Sequence, residues 1–169
     1  KPIFTSVVIV TARTVLDAQL QETISGFDHT LGSVVTIDEK KSSKDLRDAL
    51  NDGKRIIVTT LQKFPVIYEQ VDDTTGKAFA IIVDEAQFLQ KADIYYLVHL
   101  VDDCNIPVMC YGLRADFKGE LFPGSYHLLV MADKLEEVKT ICWCGKKAAF
   151  NARFDQHGHV VKEGAQVVL

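Results

Sequence analysis

The chain lacks most of the features that assign a sequence quickly. No apolar run approaches the roughly 20 residues of a membrane-spanning helix, so no membrane partner is expected. Positive charge is not in excess: 19 Lys and Arg stand against 23 Asp and Glu, for a formal net charge of −4. That leaves no global basic footprint for nucleic acid. Cysteine is scarce. Cys104, Cys110, Cys142 and Cys144 are too few for a disulfide scaffold, and reduced thiols are the cytosolic default. No signal-peptide pattern opens the sequence at Lys1, and a cytoplasmic location is expected. Internal repeats, low-complexity tracts and long linkers are also missing.

What is present suits one globular unit with a sizeable core: 169 residues, 47% hydrophobic and 25% charged. Residues 3–11 are β-branched and almost wholly apolar, and predict a buried strand. Thr14 offers a cap for a helix to about residue 24, with Val15, Leu16, Gln19, Leu20 and Thr23 at helical spacing and Gly26 as its stop. Residues 33–37 read as a second strand. Ser42 and Ser43 offer caps for a helix that buries Leu46, Ala49 and Leu50, with Gly53 just past its end. Strands are predicted at 55–60, 78–84 and 106–112, and a helix at 91–103. Residues 61–70 suit a helix that Pro65 would break or reset. Such alternation predicts an α/β fold, a mostly parallel sheet with flanking helices. After Leu113 the character changes, and short strands are predicted at 126–131, 135–141, 148–154 and 166–168. The expected organisation is an α/β domain over 1–125 and a partial β appendage over 126–169.

The most informative stretch is Ala80-Ile81-Ile82-Val83-Asp84-Glu85-Ala86-Gln87-Phe88. An apolar run ends in two adjacent carboxylates, as when a buried parallel strand delivers acids to a phosphate site at the sheet's carboxyl edge. In P-loop NTPases the first carboxylate holds Mg²⁺ and the second orients or deprotonates the attacking group. The plainer alternative is an acidic pair that caps the next helix or is simply solvated. Phosphoryl transfer also needs a cradle, Gly-x-x-x-x-Gly-Lys-Ser/Thr, whose backbone N–H groups and Lys hold the phosphates. That motif occurs nowhere in the chain. The expected fold is therefore P-loop-NTPase-like without its Walker A segment, and negligible ATP-driven turnover is expected of these residues.

Two resemblances meet at this strand. Val8-Ile9-Val10-Thr11-Ala12-Arg13, Leu16-Asp17-Ala18-Gln19, the run from Ile56 to Phe64 and Val83-Asp84-Glu85-Ala86 carry the first. Over about residues 3–85 the chain resembles the motor subunit of type I restriction endonucleases, a superfamily 2 helicase, although that family has His where this chain has Gln87. The second is carried by Val83-Asp84-Glu85-Ala86-Gln87-Phe88-Leu89, Asn105-Ile106-Pro107-Val108, Cys110-Tyr111-Gly112-Leu113-Arg114, Asp116-Phe117 and Gly119-Glu120-Leu121-Phe122. Ala132-Asp133-Lys134-Leu135 and Lys139-Thr140-Ile141-Cys142-Trp143-Cys144-Gly145 extend it. From about residue 83 to the end the chain is similar to cellular-type thymidine kinases, a long and collinear match. A hybrid crossing over within the shared strand accounts for both halves. In both families the phosphate cradle lies upstream of the first strand seen here.

The kinase resemblance implies Glu85 as general base for a nucleoside 5′-hydroxyl and Asp84 as the Mg²⁺-side carboxylate. It implies Phe88, Leu113, Phe117 and Phe122 around the base, and Arg114 near the ATP phosphates; ordinary core packing is the alternative for the Phe and Leu residues. Cys142 and Cys144 resemble half of that family's zinc site, the start of a truncated zinc-ribbon-like appendage. Structural zinc wants four ligands; His157 and His159 are candidates, though residues 155–159 read better as a polar hairpin turn. Thr59, Thr60, Gln62 and Lys63 are what the motor resemblance would place on a DNA backbone. Without a second motor domain, DNA binding is not expected. Cys104 and Cys110 read as buried packing residues, and His29, His99 and His127 as structural.

Three functions follow from these residues. The leading one is an ATP:thymidine 5′-phosphotransferase-type domain, binding thymidine or TTP and catalytically incomplete without its cradle. The others are an ATPase and DNA-translocase fragment of a restriction enzyme, and an inert hybrid or binding module. An unpaired sheet edge would favour self-association as a homo-oligomer.

Overall fold

A computed structural model describes residues 4–11, 26, 33–37, 41–60 and 78–165. Five strands form one sheet. The central strand β1, Ser6–Thr11, is a run of β-branched residues that pairs in parallel with β3, Ile56–Thr60, on one side. On its other side lies β4, Phe79–Asp84, also parallel, with Thr11 opposite Asp84. Strand β2, Val34–Ile37, lies outside β3, and β5, Val108–Cys110, lies outside β4. The order is β2-β3-β1-β4-β5, and every pairing is parallel. Near-continuous apolar strands of this kind need both faces covered.

Helix α1, Ser43–Asn51, and helix α2, Lys91–Asp102, cover one face, that of Val8, Val10, Ile57, Ile81 and Val83; Ile9, Val34, Ile56 and Val58 cluster on the other. Ser42 caps α1: its N–H and its hydroxyl both donate to Asp45 Oδ2, at 2.6 and 2.8 Å. Gln90 caps α2 through its backbone N–H, which donates to Asp93 Oδ2 at 2.8 Å. Gly53 follows α1 at φ +67, where only a residue without Cβ sits unstrained. Leu46, Ala49 and Leu50 of α1 and Ile94, Leu97 and Leu100 of α2 join Val8, Val10, Ile81 and Val83 in one buried cluster. Each Val, Leu or Ile side chain contributes about 1.5–3 kcal/mol when fully buried. These features make an α/β fold of P-loop-NTPase-like layering, as the alternation predicts.

The C-terminal third departs from expectation. The strand predicted at 126–131 is a helix, α3, Pro123–Met131. A short apolar run does not distinguish strand from helix, and Pro123 at the first helical position tips it, with φ pre-set and no N–H to lose. Leu128 and Met131 pack on the core cluster, so α3 crosses the boundary expected at 125/126. No strand forms at 135–141; Ile141 makes one isolated bridge with Lys147. The strand predicted at 148–154 shrinks to β6, Arg153–Phe154, antiparallel to β7, Val160–Val161. Here the apolar residues have nothing to pack against: Ile141 and Trp143 are 78% and 94% exposed. Residues 155–159 form the expected turn, with Asp155 accepting from the His157 and His159 amides. The helices expected at 14–24 and 61–70 and the strand at 166–168 lie outside the described residues. Among the described residues, no helix is long and apolar enough to cross a membrane.

Candidate active site

Open parallel sheets bind ligands at the carboxyl ends of their strands. There β4 ends in Asp84, and the chain turns sharply at Glu85, in left-handed conformation at φ 55 and ψ 34. A non-glycine residue held there costs about 1–3 kcal/mol and persists only where its surroundings over-determine it. The surroundings do so. The Glu85 N–H donates to Asp84 Oδ1 at 2.9 Å. The next residues form a single 3-10 turn, Ala86–Phe88, closed by Phe88 N–H to Glu85 O at 3.0 Å. The Ala86 N–H donates to Tyr111 O at 2.9 Å, fastening the turn to the chain leaving β5.

Gln87 is 2% exposed. Its Nε2 donates to Glu85 Oε2 at 2.6 Å, and its Oε1 accepts the Leu113 N–H at 3.1 Å. One glycine makes room for its side chain and another for the turn's backbone. A Cβ on Gly112 would lie 2.5 Å from Gln87 Oε1, and one on Gly124 would lie 2.7 Å from the carbonyl oxygens of Ala86 and Gln87. The Ser125 hydroxyl donates to Leu113 O at 2.6 Å, so both backbone polar groups of Leu113 are held.

Beside this network opens a cleft of about 250 Å³ lined by Leu113, Asp116, Phe117, Phe122, Asn151, Ala152 and Arg153. Phe122 is buried and meets Phe88 edge to face, with ring centroids 5.8 Å apart at 80°. The Arg153 guanidinium lies 3.9 Å from the Phe117 ring centroid, within cation–π range. Arg153 Nη1 also donates to Ala165 O at 2.8 Å. Asp116 Oδ1 accepts the N–H groups of Lys118 and Glu120 and so shapes the loop that carries Phe117.

The expected site residues separate into groups. Leu113, Phe117 and Phe122 line the cleft, Phe88 backs Phe122, and Glu85 reaches the wall at Leu113 through Gln87. Asp84 sits at the strand end. One carboxylate is a fitting protein contribution to Mg²⁺, which is commonly held by one or two carboxylates together with substrate phosphates. Arg114 is exposed and does not line the cleft; it lies close enough to Glu137 to help Lys147, the main cause, hold that carboxyl below its usual range.

Cys142 and Cys144 lie in an exposed turn. The Lys146 backbone N–H, then the Cys142 thiol, lower the Cys144 pKa. Among the described residues no group of three or more His, Cys, Asp or Glu could hold a metal ion. The pair alone therefore does not fit tetrahedral zinc. Cys110 is exposed to solvent on β5, an edge strand among the described residues, although its surroundings still desolvate the thiol enough to push it up to about 11; Cys104 is half-buried against the core. His99, expected to be structural, has its Nδ1 2.5 Å from Asp103 Oδ2 and its Nε2 3.8 Å from Cys104 Sγ. Thr59 and Thr60, the DNA-contact candidates, are 0% and 2% exposed and closed to a phosphate backbone. Gln62, Lys63 and His29 lie outside the described residues.

Gln87 and Arg153 belong to the wall and lining of the cleft, places not expected of them. The DEAQ context contained Gln87, but its contact with Leu113 spans 26 residues. Arg153 meets Phe117 across 36 positions, with no local pattern to signal it.

A thymidine kinase family model matches residues 17–168, so it takes in most of the stretch that resembles the restriction motor. The thymidine kinase of Haemophilus influenzae Rd is 57% identical over 93 residues, covering 55% of this chain and 48% of that protein. That of Legionella pneumophila is 49% identical over 104 residues, 62% of this chain and 50% of that protein. That of Pasteurella multocida is 59% identical over 89 residues, 53% of this chain and 46% of that protein. The chain thus spans about half the length of the curated relatives it matches. A family match over nearly every residue, on a parallel sheet whose acidic strand is tied to an aromatic cleft, leaves one assignment: the chain belongs to the thymidine kinase family.

Proposed function

We propose that the chain forms the nucleoside-and-base part of an ATP:thymidine 5′-phosphotransferase. One observation carries the reading: the Glu85 carboxylate is fixed through Gln87 to the wall of a cleft bearing Phe117 and Phe122. Thymidine or TTP would lie against those rings, with Phe88 behind them. Glu85 would take the 5′-hydroxyl proton, the freed oxygen would attack the γ-phosphoryl group of ATP, and ADP would leave. Asp84 would hold Mg²⁺, which neutralises charge on the transferring phosphoryl group. Arg114 would serve the phosphates by turning from Glu137.

The Walker A motif is absent from these 169 residues, so we read them as binding nucleoside with negligible turnover on their own. Zinc would need ligands beyond Cys142 and Cys144. A cytoplasmic location fits the thiols, and self-association would use the β5 edge. The domain reading becomes an α/β unit followed by a small appendage. The restriction-translocase and hybrid readings rest on the N-terminal motifs alone, and the burial of Thr59 and Thr60 weighs against a DNA track.

Calorimetric titration with Mg²⁺ and thymidine, TTP or ATP tests the proposal. Saturable binding of thymidine and TTP is the expected result. Binding of ATP alone would favour the translocase reading. Binding of none would leave an inert hybrid that keeps the sheet without the site.

A further inference from the structure

We propose that Gln87 is a positioning residue that locks the Glu85 carboxylate to the nucleoside wall at Leu113, so that base orientation and wall placement are one event. The inference rests on the thymidine kinase reading of the cleft and adds to it a residue that touches neither nucleoside nor phosphate.

The amide of Gln87 is neutral, donates at one atom and accepts at another. Both ends are used. Nε2 donates to Glu85 Oε2 at 2.6 Å, and Oε1 accepts from the Leu113 backbone at 3.1 Å. The short distance to Glu85 is typical of a bond to a charged acceptor. The residue is 2% exposed, so water does not substitute for either partner. Its pocket is cut to the amide. Gly112 admits Oε1 where any Cβ would stand 2.5 Å away, and Gly124 admits the turn's carbonyls where a Cβ would stand 2.7 Å away. Ser125 then holds Leu113 from its carbonyl side at 2.6 Å. A packing role alone would be met by Met or Leu, which would leave the Leu113 N–H without this acceptor; Gly112 makes room for Oε1, whereas Gly124 makes room for the turn's backbone.

The geometry also explains why Glu85 tolerates a left-handed backbone. That backbone aims its carboxylate back over the 3-10 turn, where Gln87 receives it. A carboxylate free to rotate would hold the 5′-hydroxyl in only part of its orientations. One fixed at Oε2 presents its other oxygen in a single direction.

The test compares thymidine with 5′-deoxythymidine, which lacks only the hydroxyl that Glu85 would receive. Calorimetric titration is run on the whole chain and on Gln87→Met and Gln87→Glu. The unmodified chain should prefer thymidine by about tenfold or more, the increment of one hydrogen bond to a charged acceptor. Gln87→Met removes both bonds at nearly constant volume and should reduce the preference to within about twofold. Gln87→Glu keeps an acceptor for Leu113 but sets a second carboxylate beside Glu85. It should lose the preference while retaining 5′-deoxythymidine affinity better than Gln87→Met does. A merely structural Gln87 would weaken both ligands equally and leave their ratio unchanged; that result overturns the inference.

A chain that binds neither nucleoside overturns the kinase reading and the inference with it. One that binds both equally removes Glu85 from contact with the 5′-hydroxyl and overturns both roles. Should the variants fail to fold, the Gln87 side-chain amide signals of the unmodified chain decide by NMR. Thymidine should shift them and 5′-deoxythymidine should not. Equal responses to the two ligands, or no response, refute the lock.

Discussion

Gly124→Ala sets two rules against each other. Gly124 is the second residue of α3, and Ala exceeds Gly in a helix by up to about 1 kcal/mol. Much of that preference is the reduced freedom of the unfolded chain, itself about 0.4–1 kcal/mol. Local reasoning therefore predicts a stabilised protein. The packing predicts the reverse. The added Cβ would stand 2.7 Å from Ala86 O and Gln87 O and 2.9 Å from Gln87 C. Carbon contacts are at ease near 3.5–4.0 Å, so the shortfall is roughly 0.8 Å against backbone. That backbone cannot swing aside, because Ala86 N–H is bonded to Tyr111 O and Phe88 N–H to Glu85 O. Overpacking costs about 1–3 kcal/mol, and a rigid neighbour puts this site near the top of the range. Setting about 3 kcal/mol of strain against about 1 kcal/mol of helix gain leaves a net loss of about 2 kcal/mol. For a chain of this length, that lowers the midpoint of thermal unfolding by about 4–8 °C. Far-UV circular dichroism during heating, with a urea titration for the free energy, measures it. An unchanged or raised midpoint would refute the close approach of α3 to the turn, and with it the tight seat of Gln87.

Two further outcomes are expected. Phe122→Ala removes a buried ring that faces Phe88 and lines the cleft, and should cost about 3–5 kcal/mol in urea unfolding together with most of the thymidine affinity. Asp155 accepts the His159 and His157 amides at 2.9 and 2.8 Å, and these bonds, His159 first, hold its carboxyl below the usual range. The resulting support for the β6–β7 turn is complete above the unfolded carboxyl value of about 3.9 and disappears as pH falls through the lower folded value. The His157 and His159 amide resonances should therefore move together below about pH 4; amides unchanged down to pH 2 would rule the turn out.

The sheet was legible because its information is local. The apolar, β-branched run 3–11 specifies a buried strand whatever lies beside it, and Ser42 announces α1 through a cap that closes within three residues. The C-terminal third was misread for the same reason. Residues 126–131 are apolar without helical periodicity, and only Pro123 and the surface offered by the core decide that they coil. Residues 135–141 alternate enough to suggest a strand, yet a strand exists only where another takes its hydrogen bonds, and a single bridge to Lys147 is what this segment finds.

At the site, the carboxylates were visible because a strand ending in Asp84-Glu85 places them at the sheet's edge by geometry alone. Their orientation was not, since it depends on where Leu113 lies relative to Gln87. Nothing within either segment encodes that distance. It is set by the path of the chain through α2 and β5, which returns Tyr111 to the Ala86 amide and so delivers the next two residues, Gly112 and Leu113, to the Gln87 side chain. The same return explains why Gly112 stands where it does: on the residue between two anchored neighbours a Cβ would stand 2.5 Å from the Gln87 amide oxygen, and only its absence allows the path. A glycine that punctuates no turn is thus itself a signal of close approach. Of the site's features, this one was open to a reader of the sequence who asked what Gly112 was avoiding.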